Sequence, residues 1–186
     1  VQITVSFSNP DAPTASTVNP LFCAETNATL SNISIDITAG SAITWFDAAT
    51  GGSELAASTI LVDNQSYFAA TNSNGCNSSD RLEIIPTVIT VTPTSLTSDM
   101  LQVCGLDNPT VTDLRSLENE ADYEVRWFIT ENGGSPLQDD DLLLENTTYY
   151  AENYDPLTGC SAATRVPVTI DSVSYTHLTL PTICSV

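Results

Sequence analysis

Trp45-Phe46-Asp47-Ala48-Ala49-Thr50-Gly51-Gly52 and Trp127-Phe128-Ile129-Thr130-Glu131-Asn132-Gly133-Gly134 decide how this 186-residue chain is organised. Both stretches open on a pair of large rings and close on a glycine pair, and the agreement continues outward in both directions. Cys23 aligns with Cys104, Leu55 with Leu137, Tyr67 with Tyr149, Cys76 with Cys160 and Arg81 with Arg165. The step from Trp to Tyr is 22 residues in each copy, and the step from the second Cys to Arg is 5. So many chemically distinct landmarks at near-constant offset mark an internal repeat. The repeats are expected over 14–92 and 93–171. Residues 1–13, opening Val1-Gln2-Ile3-Thr4-Val5, read as the last strand of a preceding repeat and a linker, and residues 172–186 as a tail. Length differences between the copies fall in polar stretches, before the second Trp (Glu118 to Asp122) and before Cys160 (Tyr154 to Thr158), where loops tolerate insertion.

Within each copy, short β-branched or alternating runs recur every 8–12 residues between Gly, Asn, Asp and Pro, the pattern of an antiparallel sandwich or barrel. Strands are expected at 28–35, 42–47, 59–62, 66–71 and 80–91, with counterparts at 110–114, 123–129, 142–144, 148–153 and 163–170; no helix is expected. Alternation places Trp45 and Trp127 in the core, where an indole fills the roughly 10 Å gap between packed sheets. Tyr67 and Tyr149 are further core candidates. The glycine pairs supply the positive φ angles of turns after the Trp strands.

The charge is one-sided: 23 Asp and Glu against 4 Arg and no Lys, a formal net charge of -19. Nucleic acid is excluded as a partner, because phosphate binding needs clustered Lys and Arg. A hydrophobic fraction of 41% argues for a folded chain with an acidic surface, and no apolar run is long enough for a membrane-spanning helix.

Five cysteines are present. The two aligned pairs point to bridges Cys23–Cys76 and Cys104–Cys160; spacing permits other pairings, but a repeat that folds as a unit needs its bridge inside the unit. Closing such a ring contributes about 4 kcal/mol by chain entropy, and it places the mature protein in an oxidising compartment, outside the cytoplasm. Zinc is disfavoured by the absence of a CxxC spacing and of a nearby His.

Catalysis finds no support. The single His, His177, lies in the tail, and neither a Ser triad nor a Cys nucleophile has a base. No cofactor is expected; calcium is the most serious alternative. Asp139, Asp140, Asp141 and Glu145, and separately Glu118, Glu120, Asp122 and Glu124, offer hard oxygens, although without EF-hand spacing. Five Asn-X-Ser/Thr sequons (Asn27, Asn32, Asn64, Asn77, Asn146) read as compositional. Arg81 and Arg165 read as cross-strand partners for acidic neighbours.

Phe22-Cys23, Trp45-Phe46, Gly51-Gly52, Tyr67-Phe68-Ala69, Gly75-Cys76 and Arg81, with Val103-Cys104, Trp127-Phe128, Gly133-Gly134, Tyr149-Tyr150-Ala151, Gly159-Cys160 and Arg165, resemble the immunoglobulin-like repeats of large surface and gliding-associated proteins of the Bacteroidetes. The resemblance covers Thr14 to Asp171 and implies an all-β chain of two tandem immunoglobulin-like antiparallel sandwiches, in an adhesin or multi-repeat protein exported by type IX secretion. Against antibody domains, the second Cys follows the Tyr by 9 or 11 residues and not two, so the bridge would tether an end of the sandwich. Val173 to Thr182 resembles a translated sequencing adapter, which takes Cys184 and His177 out of the architecture.

The expected function is that of a non-catalytic spacer or adhesion repeat at the cell surface or outside the cell, with neighbouring repeats of the same chain as partners. The alternative is a calcium-stabilised module that binds a surface glycan or protein through Tyr67, Phe68, Tyr149, Tyr150 or Tyr154.

Overall fold

Strand alternation sets the two sides of each sheet. Over Tyr67–Ser73, the side chains of Tyr67, Ala69 and Thr71 are buried on one face while Phe68 and Asn72 are half-buried on the other; over Thr148–Asp155, Tyr149, Ala151 and Asn153 alternate with Thr148, Tyr150 and Glu152 in the same way. The computed structural model describes residues 9–104, 108–119 and 122–173. The expectations for residues 1–8, for Glu120, for the adapter-like tail from residue 174 and for Cys184 and His177 lie outside the described residues. The chain divides into two compact units, Val1–Ile89 and Thr90–Val186, here called repeats 1 and 2.

Repeat 1 contains β1 (Leu21–Cys23), β2 (Ala42–Phe46), β3 (Glu54–Leu55), β4 (Tyr67–Ser73), β5 (Cys76–Asn77), β6 (Leu82–Ile84) and β7 (Thr87–Ile89). One sheet runs β3-β2-β4-β5 with β6 also on β4, all antiparallel; a second pairs β1 with β7 in parallel. Repeat 2 contains β8 (Met100–Cys104), a one-turn helix α1 (Val111–Leu114), β9 (Glu124–Phe128), β10 (Thr148–Asp155), β11 (Cys160–Ser161) and β12 (Val166–Val173). Here β10 pairs antiparallel with β9, β11 and β12, and β12 pairs in parallel with β8. Both repeats are mostly β, with curled sheets of immunoglobulin-like type.

The two copies share their main strand pairings and differ in two places: β3 has no strand counterpart among the described residues of repeat 2, and the final strand is broken in repeat 1. β12 runs unbroken, pairing first with β10 and then, from Thr169, with β8. Its counterpart in repeat 1 is cut into β6 and β7 around Ile85-Pro86, where Pro86 lacks the N–H that the aligned Ile170 donates to the Thr147 carbonyl; Pro167, at a position of β12 that does not need its N–H, leaves that strand unbroken. The expected single strand over 80–91 is thus two.

Two further expectations are corrected. The stretch 28–35 contains a 3-10 turn at Leu30–Asn32, and 110–114 contains α1, continued by a 3-10 turn at Arg115–Leu117. Each opens with a capping box: the Thr29 N–H donates to Asn32 Oδ1 at 2.7 Å, and the Thr110 N–H to Asp113 Oδ2 at 2.7 Å. Reciprocal capping satisfies the free N–H groups at these positions and makes a helical turn cheaper than an extended chain. The stretches 59–62 and 142–144 form only single bridges, Ile60 to Thr29 and Leu142 to Thr110.

Each repeat has its own core. In repeat 1 Leu30, Ile33, Trp45, Leu61, Tyr67, Ala69 and Ile84 pack together. In repeat 2 the cluster is larger, with Trp127 and Tyr149 surrounded by Val111, Leu114, Leu117, Val125, Leu143, Ala151, Val168 and Ile170. The helical turns supply Leu30, Val111, Leu114 and Leu117 to these cores, so they fill space that a strand would have filled with fewer side chains.

Candidate functional site

The residues that recur in both repeats converge on one small structure at the end of the Trp strand. Gly51 and Gly52 have φ of 63° and 70°, and Gly133 and Gly134 have 65° and 76°, turning the chain back after β2 and β9. A Cβ on Gly52 would meet Asp47 Oδ1, so a side chain at that position strains the turn and displaces the Asp47 carboxylate. The turn exposes carbonyl oxygens, and an arginine collects them. Arg81 Nη1 donates to the carbonyls of Ala48 (2.6 Å) and Gly51 (2.8 Å), while its guanidinium carbon lies 3.4 Å from the Phe46 ring centroid. Arg165 Nη1 donates to the carbonyls of Thr130 (2.8 Å) and Gly133 (2.7 Å), with its guanidinium 3.3 Å from the Phe128 ring centroid.

This arrangement explains why Phe46 and Phe128 are buried although they alternate with the core-facing tryptophans: each ring is roofed by its arginine. Charge-assisted hydrogen bonds contribute about 1.5–3 kcal/mol and a partly desolvated cation–π contact about 1–2 kcal/mol. Reading Arg81 and Arg165 as partners of acidic neighbours therefore describes half of one case. Arg165 Nε does pair with Glu152 Oε1 at 2.9 Å, both side chains nearly buried. The contacts common to both arginines are the turn carbonyls and the phenylalanine ring.

A second shared device uses the tyrosines. The Tyr67 hydroxyl accepts the N–H of Val62 (3.0 Å), and the Tyr149 hydroxyl accepts the N–H of Leu144 (2.8 Å), each five residues upstream. This is the tyrosine corner of immunoglobulin-like sandwiches. Asn64 and Asn146, at φ of 56° and 55°, turn the chain between hydroxyl and partner.

Repeat 2 adds a polar groove of about 550 Å³ lined by Arg115, Glu124, Arg126, Trp127, Leu137 and Asp139 among others. Both of its arginines are paired within the repeat. Arg115 Nε donates to Asp139 Oδ1 (3.0 Å) and Nη1 to Glu118 Oε1 (3.1 Å); the same Glu118 oxygen accepts Trp127 Nε1 at 2.8 Å. The Asp139 bond, together with the Glu118 charge and against desolvation, raises the pKa of Arg115. For Arg126, desolvation works against the charge, but Glu124 and Tyr154 outweigh it and the pKa is raised. Its guanidinium lies 3.1 Å from the Tyr154 ring centroid.

The calcium candidates are placed as follows. Asp139 is held by Arg115, Asp141 Oδ2 accepts the N–H of Gln138 at 2.8 Å, and Asp140 and Glu145 are exposed. In the other set, Glu118 serves Arg115 and Trp127, and Glu124 accepts Arg126 Nε at 3.0 Å. Among the described residues, no three of these carboxylates bring their oxygens within 4.8 Å of one another. Of the aromatic candidates for a glycan platform, Tyr67 and Tyr149 are buried, Phe68 and Tyr150 half-buried, and Tyr154 is covered by Arg126.

The cysteines depart from expectation. Cys23 and Cys160 are disulfide-bonded, and Cys76 is an exposed free thiol. The expected Cys23–Cys76 bridge is therefore not formed, while the expected Cys104–Cys160 bridge falls on a side chain outside the described residues. Cys23 ends β1 opposite Ile89, whereas Cys76 sits in the β4–β5 hairpin of the other sheet, opposite Ser73 with its side chain in solvent. The side chain of Cys104 lies outside the described residues.

Residues 10–93 match the family described as an Ig-like domain, CHU_C associated, a family typical of bacterial surface proteins. No curated protein matches the chain. Similar solved structures include the N-terminal four Ig domains of Dscam1 isoform 7.44 (11% identity, TM-score 0.29, covering 92% of this chain and 48% of that one) and of isoform 4.44 (12%, 0.28, 91% and 49%). The chain spans about half the length of these structures. Ig-like domains of this family are typically non-catalytic. No helix among the described residues is long and apolar enough to cross a membrane, which says nothing of β-barrels.

Proposed function

We propose that the chain is a pair of structural spacer repeats from a secreted or cell-surface bacterial protein, without catalytic activity. One observation carries this reading: the tryptophan, tyrosine, arginine and glycine positions shared by the two copies act on their own fold, and the shared cysteines form no common exposed site. Trp45 and Trp127 fill cores, Tyr67 and Tyr149 fix the approach to β4 and β10, and Arg81 and Arg165 lock the glycine turns onto Phe46 and Phe128. A binding function shared by tandem copies would keep a shared exposed constellation, and the shared residues are instead internal. The disulfide bonding of Cys23 and Cys160 supports an oxidising, extracytoplasmic location, and the acidic surface supports solubility of an extended array. The neighbours in such an array are further repeats of the same protein.

A glycan array probed with the intact two-repeat chain, with and without calcium, tests the reading. The expected result is no saturable binding in either condition; saturable binding to one glycan class overturns the spacer role in favour of recognition.

A further inference from the structure

Proteases of trypsin-like specificity require a basic side chain before the scissile bond. This chain has no lysine and four arginines, all within the described residues. Each arginine is engaged within its own repeat, and each engagement withdraws the guanidinium that such a protease must capture.

Arg81 is held by two turn carbonyls and Phe46, immediately before β6. Arg165 is held by two turn carbonyls, Phe128 and Glu152, with 9% of its side chain exposed, immediately before β12. Arg126 lies inside β9, its backbone paired opposite Glu152 and its guanidinium between Glu124 and the Tyr154 ring. Arg115 follows α1 in a 3-10 turn and reaches Asp139, Glu118 and the Val125 carbonyl. Cleavage needs several residues around the bond in extended form and the arginine side chain in an anionic pocket. At each of these positions that demands both local opening of the backbone and the loss of every side-chain contact just named.

We propose that the folded repeats are closed to proteases that cleave after Lys or Arg, by omission of lysine from the sequence and by engagement of all four arginines in the fold. The protection is independent of the spacer reading: it holds for any secreted chain built this way. It is graded. Arg115, at 39% side-chain exposure and outside any strand, is the weakest point, and Arg165 is the strongest.

The test is digestion of the intact, oxidised chain with trypsin, followed by mass spectrometry over time, beside the variant Glu131→Arg. Residues 131–136 form a wholly exposed run, so the new arginine is not engaged. Cleavage after the new Arg is expected at least about tenfold faster than after any native arginine, because the native sites carry an added opening cost. Reduced and denatured chain is expected to be cut after all four native arginines. Glu152→Gln and, separately, Phe128→Leu are expected to speed cleavage of the 165–166 bond severalfold while leaving the 81–82 bond as it was. Native cleavage after Arg126 or Arg165 at the rate seen for the Glu131→Arg site overturns the proposal. So does a 165–166 bond indifferent to both Glu152→Gln and Phe128→Leu.

Discussion

The outer faces of the two sheets differ far more than their cores. In repeat 2 the face carries a continuous ladder: Phe128 under Arg165, Arg165 paired to Glu152, Glu152 opposite Arg126 across β9 and β10, and Arg126 over Tyr154. The corresponding positions of repeat 1 are Phe46 under Arg81, then Ala70, Thr44 and Asn72. The latch is common; the rest of the ladder exists in one copy. The difference separates what the fold requires from what one copy has added. The turn carbonyls and the phenylalanine ring suffice to hold the arginine, since repeat 1 manages with them alone.

The largest effects should come from the cores, which the same comparison grades. Truncating either tryptophan to Ala should cost about 3–5 kcal/mol. Trp127 also donates to Glu118, a bond with no counterpart among the described residues of repeat 1, so Trp127→Phe should destabilise its repeat by about 1–3 kcal/mol more than Trp45→Phe does its own. Because the chain has two tryptophans, each variant leaves a single tryptophan, in the unaltered repeat; its fluorescence follows that repeat during denaturant unfolding, and circular dichroism, which sums over both, gives the altered one by difference. Equal costs in the two repeats would show that the Glu118 bond contributes nothing net.

Next come the latches. Arg165→Gln should cost about 2–4 kcal/mol and Arg81→Gln about 1–3 kcal/mol, because only the former leaves a nearly buried carboxylate without its partner. Adding Glu152→Gln to Arg165→Gln should recover part of the loss. A double variant no more stable than the single would place the cost in the carbonyl and ring contacts alone, and the two repeats would then be equivalent.

The turns differ by less. Gly52→Ala and Gly134→Ala both force a side chain into a positive-φ position at about 1–2 kcal/mol. Gly52 should suffer more, since its Cβ would meet Asp47 Oδ1 at 2.2 Å, against 3.0 Å from Thr130 Oγ1 for Gly134. Thermal melting of the two variants should rank them in that order.

The smallest effect is acid dependence at the β10–β11 hairpin. Asp155 accepts the Thr158 hydroxyl at 2.7 Å and the Leu157 N–H at 2.9 Å, which hold its carboxyl below the ordinary value of 3.8. A depressed folded-state pKa contributes stability that is fully present above the ordinary value and is lost as pH falls below it toward the folded value. Amide shifts at Leu157 and Thr158 should therefore titrate below about pH 3.8, and Asp155→Asn should abolish that titration. Repeat 1, with Ser73 at the matching position, should show no such step at its hairpin.

What the sequence disclosed follows from range. The tryptophan and tyrosine cores and the glycine turns are set by alternation and by single-residue φ preferences, and each is found where the repeat pattern puts it. The two capping boxes were also spelled out, as Thr29-Leu30-Ser31-Asn32 and Thr110-Val111-Thr112-Asp113, but the β-branched residues around them favoured an extended reading. Arginine and phenylalanine meet across 35 or 37 residues, and no local pattern announces a stacking partner at that distance. Cysteine pairing is of the same kind: aligned positions say which cysteines are equivalent, not which sulfurs touch.

In both repeats the first strand of the sheet pair and the last run side by side in the same direction, β1 with β7 and β8 with β12. A pull on the two chain ends of either repeat therefore loads these parallel strands in shear, so that their hydrogen bonds must fail together and cannot be peeled one at a time. β8 and β12 are in register over five residues, from Met100 to Cys104, and β1 and β7 over three. With the disulfide reduced, repeat 1 should therefore yield at the lower force in single-molecule extension, and repeat 2, with its longer parallel pairing, at the higher.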